Sequence, residues 1–256
     1  MKQNYPDSLK ERRSKRFRKK GKLVKFLKMV GMVGIILSAH FHSVSTACAS
    51  GNENEKVLTA AEVLVEIMEI TDEGGVPRTL LNDAYGIMVI PDVLKVGYVI
   101  GGRHGKGILV TRTEDDTWSN PVFVELRAGS VGWQIGIQST DLVLLFDSRS
   151  SVSKVIEGEF TLGADASVSA GPKGRGVGAQ TDVEFESEIY SYSKSRGLFA
   201  GVSLEGASIQ IDYTATENFY GDAYTSVRRV LDGDIGNAPD SAEEFLSTLN
   251  RYVKPE

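Results

Sequence analysis

Cysteine and histidine are nearly missing from this sequence. Its 256 residues hold one cysteine, Cys48, and three histidines, of which His104 alone lies beyond residue 49. One cysteine cannot close an intramolecular disulfide, so the fold rests on its core. One histidine and no cysteine after residue 49 leave little from which to assemble a zinc site. Proline is scarce, seven residues against 27 glycines, a balance that favours many tight turns and hence β-structure. Positive charge is short where nucleic acid would need it: residues 50–256 hold 17 Lys+Arg against 32 Asp+Glu. A body that acidic repels phosphate backbones, which argues against general nucleic-acid binding. Apolar residues at 41% and charged residues at 25% are those of a folded globular protein.

The basic residues that do occur are concentrated at the front, where the first 49 residues carry 12 Lys+Arg and 2 Asp+Glu. A basic run over 10–28 leads into the apolar stretch 29–37 and then into Ser45-Thr46-Ala47-Cys48-Ala49. Basic, apolar and small-residue segments in that order predict a secretory signal peptide over 1–49, with an apolar run too short for a transmembrane helix. Ala47-Cys48-Ala49 fits cleavage after Ala49. The alternative is lipidation at Cys48, since Thr46-Ala47-Cys48 has the form of a lipobox end. Either route places the chain outside the cytoplasm, in a periplasm or on the cell envelope. Residues 50–58 then read as a flexible tether and 59–256 as one domain, long enough for its own core.

Thr59-Ala60-Ala61-Glu62 has the form of a capping box, and Val63, Leu64, Ile67 and Met68 follow at helical spacing. Gly74-Gly75 stops that helix, and Pro77 opens a second one through Leu81. From Tyr85 the pattern changes to short apolar runs about ten residues apart: 86–90, 96–100, 108–110, 122–124, 131–135 and 142–146. That spacing suits an antiparallel sheet. A short helix fits 151–156, alternating segments follow over 160–171, 182–193 and 197–213, and helices are expected over 220–231 and from Ser241 onward. The expected fold class is α+β: a β-rich antiparallel sheet or barrel-like core, with N-terminal and C-terminal helices packed against it.

Enzyme chemistry fails for want of parts. Glu114-Asp115-Asp116 lacks the alternation of a calcium loop. Ser130, in Ala128-Gly129-Ser130-Val131-Gly132, has no histidine after it to serve as base. Gly101-Gly102-Arg103-His104-Gly105-Lys106-Gly107 has the wrong spacing for a phosphate-binding loop and reads as a hairpin tip whose glycines supply positive φ. No enzyme, no cofactor and no metal is therefore expected. What remains is a distribution of charge: Arg103 and Lys106, Lys173 and Arg175, and Lys194 and Arg196 sit in three turn-like segments rich in glycine or serine. Converging, they would form a basic patch for anionic phospholipid head groups.

Ala84-Tyr85-Gly86 ahead of an apolar run to Pro91, Gly97-Tyr98-Val99-Ile100-Gly101-Gly102, Trp118-Ser119-Asn120-Pro121 and Gly132-Trp133-Gln134-Ile135-Gly136 occur in this order, followed by Tyr190 through Gly201. Together they resemble the SYLF (Ysc84-like) domain family from about residue 59 to about residue 231. The resemblance implies a lipid-binding module, whose eukaryotic relatives bind phosphoinositides and in some cases actin. Export argues against actin as a partner here, which leaves an anionic phospholipid or membrane surface. The alternative reading is an envelope scaffold for protein partners, held to the membrane through a lipidated Cys48.

Overall fold

The computed structural model describes residues 53–70, 75–158, 160–171, 187–195, 198–199, 204–221, 226–235 and 238–253, with the backbone alone for 97–100, 130–136 and 198–199. All belong to one compact unit, Asn52–Glu256. The expected leader, with Cys48, and the basic residues Lys173, Arg175 and Arg196 lie outside the described residues.

Helix α1 (Glu53–Met68) starts six residues before the expected cap. Val57, Ala60, Ala61, Leu64 and Ile67 recur at three- and four-residue steps, so the buried stripe begins at Val57. Glu53 and Glu55 favour the positive end of the helix dipole. Thr59 is therefore inside the helix, its hydroxyl donating to Glu55 O at 2.8 Å. Helix α2 (Arg78–Asp83) follows Pro77 as expected.

The two strands that come next are longer than the sequence suggests. Strand β1 runs Gly86–Thr111 and β2 runs Val122–Phe146. Each fuses three of the expected short runs. They pair antiparallel from Gly86↔Phe146 to Leu109↔Val122, with irregularities at Ile90/Val93 and Gly97/Val99. Asp92, at φ 49°, stands at the first of them. The ribbon curls back on itself there. A Cβ on Gly107 would lie 2.1 Å from Val89 O, and one on Gly105 would lie 2.8 Å from Ile90 Cγ2. Neither glycine has positive φ. The segment 101–107 is thus strand interior and not a hairpin tip: its glycines let two stretches of one strand cross in contact.

Helix α3 (Arg149–Glu157) is capped by Ser148, whose hydroxyl accepts Ser151 N–H at 3.1 Å. Short strands complete the sheet: β3 (Phe160–Thr161), β4 (Val168–Ala170), β5 (Ile189–Ser195), β6 (Leu198–Phe199) and β7 (Ser208–Ile211). Its order is β3-β7-β2-β5-β4, with β1 on β2 and β6 on β5. β4 and β5 run parallel, so the sheet is mixed rather than purely antiparallel. Of the helix expected over 220–231, the described residues show α5 (Val227–Leu231), and it is preceded by α4 (Tyr213–Tyr220), a helix that was not expected. Gly221, left-handed at φ 70°, ends α4. Helix α6 (Asp240–Tyr252) closes the described chain.

Both faces of the central strands are buried, which explains the near-continuous apolar runs. Ile87, Val89, Ile108, Val110, Phe123, Val143 and Leu145 pack under α1, α2, α4 and α6. Their neighbours Met88, Ile90, Leu109, Val124, Leu142 and Leu144 pack under α3, α5, β3 and β7. The class is α+β, with N- and C-terminal helices against the sheet, as expected.

Candidate functional site

The curl decides where the cations go. Side chains alternate along a strand, so Arg103 and Lys106 leave opposite faces of β1. Lys106 Nζ reaches Asp212 Oδ2 at 2.8 Å. Asp212 also caps α4, its Oδ1 accepting Ala215 N–H at 3.0 Å. Burial pushes the Asp212 carboxyl up, but the Lys106 and Ala215 hydrogen bonds and the Lys106 charge outweigh it, and the net direction is down. Lys106 therefore ties β1 to the start of α4.

Beside it on the same face, Glu125 holds two partners. His104 Nε2 stands 2.5 Å from Oε1, and Arg127 approaches both carboxylate oxygens, Nε at 3.0 Å and Nη2 at 2.7 Å. Burial raises the Glu125 carboxyl, while the His104 and Arg127 hydrogen bonds lower it further than burial raises it. This cluster, with exposed His104 and Arg127, is an ion-paired surface.

Lys194, on β5, is also engaged: its Nζ lies 2.7 Å from Glu66 Oε2 of α1. It sits opposite Asp141 in the β2–β5 ladder. Asp141 Oδ1 accepts Asp92 N–H at 3.0 Å, and Ser139 donates to Asp92 Oδ1 at 2.7 Å, so both fasten the first bulge. Burial raises the Asp141 carboxyl, and the charges of Asp92 and Glu66 add to the rise against Lys194.

Arg103 is placed differently. It lines a cleft with Val93, Lys95, Gln138, Thr140, Leu142 and Leu204. Lys95 and Gln138 face each other across the ribbon, as do Val93 and Thr140. Of the three expected basic segments, the described members do not converge on one patch. Arg103 lines the cleft together with Lys95, Lys106 pairs with Asp212, and Lys194 pairs with Glu66. Lys95 was missed because it stands inside an apolar run and not beside a turn. Its signal was available: a lone cation in Val93-Leu94-Lys95-Val96 interrupts a stretch that otherwise reads as core.

The solvated-turn reading of Glu114-Asp115-Asp116 holds, since all three are exposed. Trp118 is a packing residue as expected, 8% exposed, with the Arg112 guanidinium 4.3 Å above its ring. Arg112 also donates to Asn82 O at 2.9 Å and Asp116 O at 3.0 Å. No group of three or more His, Cys, Asp or Glu able to hold a metal ion occurs among the described residues.

Residues 127–252 match the family described as "Las17-binding protein actin regulator", Ysc84. Among curated relatives, Protein YSC84 of Saccharomyces cerevisiae is 39% identical over 177 residues, 68% of this chain and 37% of that protein. LAS seventeen-binding protein 3 of the same yeast is 36% identical over 187 residues, 70% of this chain and 40% of that protein. SH3 domain-containing YSC84-like protein 1 of Rattus norvegicus is 31% identical over 208 residues, 79% of this chain and 60% of that protein. The chain thus spans between 37% and 60% of the length of these relatives.

Proposed function

This chain belongs to the Ysc84 (SYLF) family, and from that premise we propose that it is an exported, non-enzymatic protein that binds anionic phospholipid head groups. The observation that carries the reading is the cleft in which Arg103 lies, a cation held among polar and apolar side chains at the surface of an otherwise acidic body. A head group needs that combination, because its phosphate seeks cations and its glycerol backbone seeks apolar surface. Lys106, Lys173, Arg175, Lys194 and Arg196 remain the further contacts of this reading. For Lys106 and Lys194, contact exchanges an internal ion pair for one with lipid. Export rests on the order of segments in residues 1–49.

The test begins with the whole chain expressed in a bacterial host. Mass spectrometry of the purified protein is expected to find an N-terminus at Ser50. The processed protein should then co-sediment with phosphatidylcholine vesicles containing phosphatidylglycerol, and not with phosphatidylcholine alone. Binding should weaken as salt rises. Retention of residues 1–49 would overturn export, and equal binding to both vesicles would overturn head-group recognition.

The second reading is an envelope scaffold for a protein partner, attached through a lipidated Cys48. It is favoured by the family description, which names protein binding. An acylated Cys48 in the same mass spectrum, with no vesicle binding by a Cys48→Ser chain, would select it.

A further inference from the structure

Two cations separated by eight positions of one strand share a cleft because β1 curls. Val93 packs onto Gly105, its Cγ2 standing 2.9 Å from where a Cβ would be, and this fold-back puts Lys95 near Arg103. Lys95 is half-buried and makes no ion pair among the described residues. An ammonium group so placed, beside a guanidinium in one cleft, can engage an anion without first giving up an internal ion pair of its own. Thr140 adds a hydroxyl, 8% exposed as a residue, with no hydrogen bond among the described residues. Gln138 donates its amide N–H to Ser195 Oγ at 3.3 Å, which orients the side chain at the rim. Val93, Leu142 and Leu204 form an apolar floor, and each is at most 5% exposed.

We propose that this cleft is a phosphate-ester site, in which Lys95 and Arg103 take the anionic oxygens, Thr140 donates a hydrogen bond and the apolar floor receives the first carbons of the esterified alcohol. The proposal rests on the lipid-binding reading for the source of the ester, and it adds Lys95 and Thr140 to the residues that recognise it. The floor side chains are themselves packed into the core beneath, so the cleft takes a head group and not an acyl chain. The expected ligand is accordingly a phosphate monoester or diester with a small alcohol.

The experiment titrates the processed full chain with a soluble short-chain phosphatidic acid, with glycerol 3-phosphate and with inorganic phosphate, using isotope-resolved NMR of the backbone. Vesicle co-sedimentation is run in parallel. Lys95→Gln is expected to weaken binding of the soluble esters at least tenfold, and Thr140→Val about threefold. Arg78→Gln, on the exposed start of α2, should leave binding unchanged. Shifts should centre on the amides of 93–95, 103 and 138–140. The esters should bind more tightly than inorganic phosphate if the floor contributes. Vesicle binding that survives Lys95→Gln unchanged, together with no ester-induced shift at these amides, would overturn the cleft while leaving the lipid reading intact. Ester binding that Lys95→Gln abolishes, in a protein that ignores vesicles, would support the cleft and overturn the lipid source. Circular dichroism of each variant separates loss of ligand from loss of fold.

Discussion

Gly107 sits against the Val89 carbonyl so closely that a methyl group would overlap a backbone atom. Backbone cannot move aside as a side chain can, so Gly107→Ala is expected to cost about 3 kcal/mol or more, or to prevent folding. Gly105 meets mainly side-chain ends, Ile90 Cγ2 at 2.8 Å and Val93 Cγ2 at 2.9 Å. Gly105→Ala should therefore cost less, about 1–3 kcal/mol. Urea midpoints of the two variants would test that order. The acid limb of stability is set at this scale too. Asp212 and Glu125 are held below their ordinary values of 3.8 and 4.5. Their stabilising contribution is complete above those values and is lost as pH falls through the lowered ones. Asp141 is raised and works in the opposite sense: its contribution falls as pH rises through the carboxylate range. Thermal melts between about pH 2.5 and pH 7 should show a shallower acid limb for Asp212→Asn. Asp141→Asn keeps an oxygen for the Asp92 N–H and should not destabilise at pH 7. How much of this was legible in the sequence differs from residue to residue. The basic character of Arg103 was, but its partner Lys95 was not, because strand curvature and not sequence distance brings the two together.

At the scale of elements, periodicity served where the pattern was long. The N-terminal helix, the short helix after Ser148 and the last helix all occur where hydrophobic spacing places them. The expected break between strands at 101–107 did not occur, since glycine in a strand marks close approach as readily as it marks a turn. The helix expected over 220–231 began too early: Gly221 has a left-handed backbone that terminates α4, so Tyr220 ends one helix and does not open the next. Helices α1 and α6 hold one another through Leu64, Ile67, Phe245 and Leu249, all 0% exposed, and through the Ser241 hydroxyl donating to Asn54 Oδ1 at 2.8 Å. Phe245→Ala leaves a cavity between that pair and the sheet, and should cost about 3–5 kcal/mol in urea unfolding. Ser148→Ala removes only the cap of α3 and should cost about 1 kcal/mol.

For the whole molecule, α1 is structural before it is anything else. It covers Ile87, Val89 and Val143 on one face of the sheet, so a chain shortened to begin after Met68 should aggregate or fail to give a cooperative melt. A cooperative melt from that truncation would show that the helix is dispensable to the core. Residue chemistry by itself determined that a single cysteine leaves no intramolecular disulfide, that the class is α+β, that the body is acidic behind a basic front, and that the family is SYLF. Those properties depend on composition, on local periodicity and on ordered motifs, all of which are written along the chain. Only the tertiary structure decided that β1 and β2 are continuous, that their ribbon folds back through Gly105 and Gly107, and that Lys106 and Lys194 are spent on Asp212 and Glu66 while Lys95 stands beside Arg103. The reason is physical: curvature and ion pairing depend on which atoms meet across long sequence separations, and one-dimensional spacing carries no record of a strand crossing itself.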